Sequence, residues 1–86
     1  MDIKDAIAIV KKKISTKIEI ENIVIEDKSF LHKNHAGNDK DKFHLKISIK
    51  SNYLRNLSKI ESNNEIYKAL EDEMKLFIHS LQILIL

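Results

Sequence analysis

Apolar residues recur along this chain with two different periods, and the switches between them mark out its elements. Ile3, Ala6, Ile7, Val10 and Ile14 follow the three-and-four spacing of one helical face. Residues Asp2 to Ile14 therefore read as an amphipathic helix. Asp2 is placed to cap its amino end and Asp5 suits its first turn. Lys11, Lys12 and Lys13 fall near the carboxyl end, where cations complement the helix dipole, and read as a solvated helix end. Ile18, Ile20, Ile23 and Ile25 then alternate with polar residues, with a change of phase at Glu21-Asn22. Either a bulge lies there or the strand begins at Asn22.

Phe43, Leu45, Ile47 and Ile49 alternate with His44, Lys46, Ser48 and Lys50, which predicts a strand with one buried and one wetter face. Asn52 to Asn56 reads as a turn. Ser58-x-x-Glu61 and Ser62-x-x-Glu65 are both capping-box patterns at the start of a second helix. Ile60, Tyr67, Leu70, Met74 and Phe77 are expected to line its apolar face, with Ile66 beside them. The acids Glu71, Asp72 and Glu73 read as a solvated face of the same helix. Leu81, Ile83 and Ile85 finish as a strand.

The predicted order is helix, strand, strand, helix, strand, in a single domain over residues 1–86. A helical crossover between the last two strands favours a parallel pair. The expected fold class is α+β: a small mixed three-stranded sheet with helices packed on one face. Between the first two strands runs a polar stretch, Lys28 to Asp41, that holds the only glycine, Gly37. Its length points to function or mobility rather than simple connection.

Composition narrows the classes. With 86 residues and no cysteine the chain must hold a thin core by packing alone. A net charge of +2 announces neither nucleic acid nor membrane. The start, Met1-Asp2-Ile3-Lys4-Asp5, does not read as a signal peptide. The apolar run from Leu76 to Leu86 falls well short of the about 20 residues a membrane span needs. A soluble, cytoplasmic chain, monomeric when alone, is expected.

The candidate chemistry lies in four histidines: His32, His35, His44 and His79. Neutral imidazole is a common ligand for transition metals. A chain with imidazoles and no thiolate cannot hold an iron–sulfur cluster alone. Any metal bound here is therefore expected to be shared with a partner. His79 shares a face with Leu81 and Ile83 by simple alternation, which on its own suggests a core histidine at a strand entrance. His44 faces away from the apolar set and reads as a surface residue. His32 and His35, three residues apart, could reach one ion or substitute for each other.

Four pieces of the chain, in order, resemble the BolA family. Asp27-Lys28-Ser29-Phe30-Leu31-His32-Lys33-Asn34-His35 is similar to that family's Asp-Glu-Ser-x-x-His-x-Gly-His signature. Lys42-Phe43-His44-Leu45-Lys46 is similar to its Thr-His-Phe-Lys-Val strand. Ile66-Tyr67 keeps the end of its Arg-His-Arg-x-Ile-Tyr helix, and His79-Ser80-Leu81 resembles its His-Ala-Leu strand, with serine for alanine. The resemblance runs from about Ile23 to Ile85. It implies an α+β fold akin to class II KH domains and a first strand that starts at Asn22. It places Asn56 where the family has glycine, in a position that tolerates a left-handed backbone. It implies pairing with a monothiol glutaredoxin, which with glutathione supplies the sulfur ligands of a bridging 2Fe-2S cluster. On that reading His79 and one of His32 or His35 are this chain's ligands, and no cofactor is held by the chain alone. The contact surface would be Ser29 to Lys42 with the start of the last strand, and a final helix of longer members is missing after Leu86.

Three rival functions are weaker. The family also includes transcriptional regulators, and a KH-like shape invites nucleic-acid binding. A KH clamp needs a Gly-x-x-Gly loop, which one glycine cannot supply. The Arg-His-Arg positions fall on Ser62-Asn63-Asn64, and Lys46 and Lys50 alone make a weak phosphate footprint. Catalysis by Ser29, His32 and Asp27 would need three loop neighbours to meet triad geometry, and the chain is not expected to be an enzyme. A stand-alone metal site would draw on His32, His35 and His44 with Asp39 or Asp41.

Overall fold

The computed structural model describes residues 1–29 and 42–86. Helix α1 spans Ile3–Lys17 and strand β1 Asn22–Asp27. Strand β2 is Phe43–Lys50, followed by α2 at Asn52–Arg55, α3 at Lys59–Ala69, α4 at Glu71–Leu76 and β3 at Ile78–Ile85. The strands form one sheet in the order β1-β2-β3, with β1 antiparallel and β3 parallel to β2. The mixed α+β sheet expected from the sequence is the observed one, and β1 begins at Asn22 with no bulge before it.

Alternation decides which face is covered. Ile23, Ile49 and Ile85 stand side by side across the three strands, as do Ile25, Ile47 and Ile83. Against this inner face pack Ala6, Val10 and Ile14 of α1 with Ile66, Ala69 and Leu70 from the second helical region. The outer face carries Val24, Ser48 and Leu84 in one row and Glu26, Lys46 and Gln82 in the next.

Helix starts follow the sequence closely. Asp2 accepts from the Lys4 N–H at 3.0 Å, so α1 opens on the expected cap. Ser58 and Glu61 form a full capping box at α3. Ser62, the alternative cap, is instead buried one turn in and donates to the Lys59 carbonyl at 3.0 Å.

Several details differ from the expectation. The stretch after β2 is a short helix, α2, capped by Ser51, and Asn56 closes it at φ −81°, ψ −5°. That is right-handed backbone, so Asn56 needs none of glycine's freedom. The long second helix breaks at Leu70 (φ −105°, ψ 20°) into α3 and α4. Ile66, Ala69, Leu70 and Phe77 go inside, whereas Ile60 is 73 % exposed and Tyr67 lies at the surface, donating its hydroxyl to the Leu81 carbonyl at 3.2 Å. Glu73 is buried, not solvated, because Lys13 reaches it from α1 at 3.2 Å. The lysine triplet thus contributes one clamp between α1 and α4.

Candidate functional site

The site grows from a single irregularity in β3. Phe43 of β2 stands opposite Ile78, but the next residue, His44, stands opposite Ser80. β3 advances two residues while β2 advances one, so His79 is the extra residue of a β-bulge. A bulge leaves its extra residue without a ladder partner and re-aims the side chain. Simple alternation would have put His79 inside with Leu81 and Ile83; the bulge leaves it exposed instead. The phase of the strand resets behind it, so that Leu81, Ile83 and Ile85 still face inward.

His44 is the second correction. It lies on the outer side of β2 as its alternation says, yet only 6 % of it is exposed. Its Nδ1 lies 2.6 Å from the Ser80 Oγ, its neighbour across the sheet. Its ring centroid is 4.7 Å from that of His79, with the rings tilted by 54°. The two residues of the bulge, 79 and 80, therefore both reach one buried imidazole.

The backbone of His44 also holds the end of β1. Its N–H donates to the Ser29 Oγ at 3.1 Å, and its carbonyl accepts from the Lys28 N–H at 2.7 Å. Ser29 is itself turned by its N–H bonding the Asp27 carboxylate at 2.9 Å. On the return side, the Phe43 N–H donates to the Phe77 carbonyl at 2.8 Å. Both described ends of the connection between β1 and β2 are thereby fastened at the corner that presents His79.

His32 and His35 lie outside the described residues, as do Asp39 and Asp41. Among the described residues no three histidine or carboxylate groups converge into a metal cage. The chain has no cysteine. One exposed imidazole suits an ion whose other ligands come from elsewhere, because a closed site needs about four donors in tetrahedral reach. The described residues fit the role of contributor to a shared centre.

Sequence reasoning singled out His79 as a candidate but not its setting in a bulge, and it gave Ser80 no role. The available signal was the doubling in Phe77-Ile78-His79-Ser80, two apolar then two polar residues ahead of clean alternation. Such a phase break marks either a strand start or a bulge, and here it marks a bulge.

The BolA family profile, described as BolA-like protein, matches residues 14–86. The chain is 30 % identical over 73 residues to the DNA-binding transcriptional regulator BolA of Haemophilus influenzae, a match covering 85 % of this chain and 68 % of that protein. It is 28 % identical over 76 residues to the chloroplastic protein BOLA1 of Arabidopsis thaliana, and spans about half of it, 48 % of its length. Among solved structures it resembles the BolA domain of SufE1 from Arabidopsis thaliana, with a TM-score of 0.76 at 27 % identity, over 91 % of this chain and 86 % of that one. No helix among the described residues is long and apolar enough to cross a membrane.

Proposed function

This chain belongs to the BolA-like protein family, and from that premise we propose that it pairs with a monothiol glutaredoxin to hold a bridging 2Fe-2S cluster. The chain contributes imidazole and the partner, with glutathione, contributes sulfur. The pair serves iron–sulfur cluster trafficking or iron sensing, in the cytoplasm, and the chain itself catalyses no reaction.

One observation carries this reading: the bulge exposes His79 at the corner where the β1–β2 connection is fastened at both described ends. His32 follows Ser29 by three residues in the sequence. The family resemblance makes His32 the second ligand on this reading, with His35 as its alternate. Histidine in place of cysteine raises a cluster's potential and makes the hold weaken as imidazole protonates, which suits a centre that is handed on.

The test is co-expression with a monothiol glutaredoxin, read by visible absorption and circular dichroism. His79→Ala should abolish the spectrum of the mixed complex, and His32→Ala or His35→Ala, whichever removes the true loop ligand, should alter it. Unchanged spectra in all three variants would end the ligand assignment.

A second reading, a KH-like nucleic-acid-binding regulator, draws on the name of the Haemophilus relative. It gains little from this chain's charges, since Ser62 is buried and Asn63 and Asn64 are neutral. A mobility shift on duplex DNA at physiological salt that depends on Lys46 and Lys50 would favour it.

A further inference from the structure

We propose that His44 and Ser80 are positioning residues whose contact holds the His79 imidazole in place for coordination. The proposal rests on the reading of His79 as a ligand and goes beyond it by giving work to two residues that have none there.

His79 needs such help. As the extra residue of a bulge it has no partner in the strand ladder, and its side chain is exposed. A ligand free to sample several rotamers loses affinity to the cost of ordering, and rigidifying it restores that affinity. The ring of His44 lies against it at 4.7 Å between centroids, tilted by 54°. The His44 ring thus stands against one side of the His79 ring.

The wall itself is fixed. His44 is 6 % exposed, and its main chain is bonded to Ser29 and Lys28. The Ser80 hydroxyl is one hold on the ring itself: turning the ring out of its present plane would stretch the 2.6 Å bond to Nδ1. The bond works in either direction, with the hydroxyl donating to a bare Nδ1 or accepting from Nδ1–H. Ser80 is the residue immediately after His79, so the bulge that exposes the ligand also delivers the hydroxyl that braces its neighbour. Ser80 stands where the family pattern has alanine, so the brace is a feature of this sequence.

Ser80→Ala is the informative variant, because Ser80 is exposed and its truncation opens no cavity. The first readout uses the isolated chain without metal: imidazole carbon relaxation and side-chain couplings of His79 by NMR. Ser80→Ala should turn one dominant His79 rotamer into an average over several, with the amide spectrum otherwise retained, and Ser80→Thr should restore the single rotamer. The second readout is the rate at which the reconstituted glutaredoxin complex releases its cluster to a chelator. Loss of a group that orients a ligand costs about 10–100-fold in metal affinity, so Ser80→Ala should speed release about tenfold or more, and Ser80→Thr should reverse it. If Ser80→Ala leaves the His79 rotamer or the release rate as in the parent chain while His79→Ala abolishes the cluster, positioning is refuted and the ligand assignment survives. If His79→Ala itself leaves the cluster intact, both fall together.

Discussion

The two faces of the sheet are built on opposite plans. On the inner face Ile23, Ile25, Leu45, Ile47 and Ile49 meet α1 and α3 over many contacts, with no single residue deciding the outcome. On the outer corner one bulge in β3 decides the arrangement: unbroken alternation would put His79 on the face of Leu81, whereas the bulge leaves it exposed next to Ser80, which faces His44. Packing tolerates local error because burial is shared among neighbours. A ligand site does not, because the direction of one side chain is its whole content. Stability and function in this chain should therefore separate cleanly on mutation.

Ile47→Ala should test the inner plan most severely. Ile47 is fully buried at the centre of the middle strand, and such truncations cost about 2–5 kcal/mol. Urea unfolding should register the loss, while the His44–His79 ring contact persists in the folded fraction. A core that lost nothing would contradict the packing described.

The α1–α4 clamp should come next. Removing Lys13 leaves the Glu73 carboxylate under cover at 6 % exposure. A fully buried orphan would cost about 3–5 kcal/mol, but the Lys13 side chain is 31 % exposed and water screens the pair, so Lys13→Ala should cost about 1–2 kcal/mol. Adding Glu73→Gln should recover part of that loss, and additive losses in the double variant would deny the pairing.

The α3 cap is smaller. Ser58→Ala should cost about 1 kcal/mol in chemical unfolding. The Ser58 backbone N–H, and then its side chain, hold the Glu61 carboxyl below its usual range. The native value is the lower one, so this contact stabilises fully above the unfolded-state pKa and fades as pH falls through the native value. The stability gap between the parent and Glu61→Gln should accordingly narrow on acidification.

The smallest effect on folding should belong to the residue proposed as the ligand. His79 is exposed at a bulge, so His79→Ala should shift stability by no more than about 0.5 kcal/mol. Loss of the cluster spectrum alongside unchanged unfolding would confirm that the two faces are independent; a large destabilisation would show the bulge to be part of the core.

Local pattern located α1, β2, β3 and the Asp2 cap, and offered the Ser58 cap beside Ser62 and two readings of the start of β1, because those depend on residues a few positions apart. It also picked out His79 as a residue worth attention. It could not find the break at Leu70, since an unbroken heptad-like run of apolar residues looks the same with or without a kink. It read Glu73 as solvated because its partner, Lys13, lies sixty residues away in the chain. It placed His44 on the correct face and misjudged its burial for the same reason. Which residue of β3 stands opposite which residue of β2 is fixed by packing across a long crossover. A shift of one position reverses every side chain, so the pairing of His44 with Ser80 and His79 existed only once the strands had met.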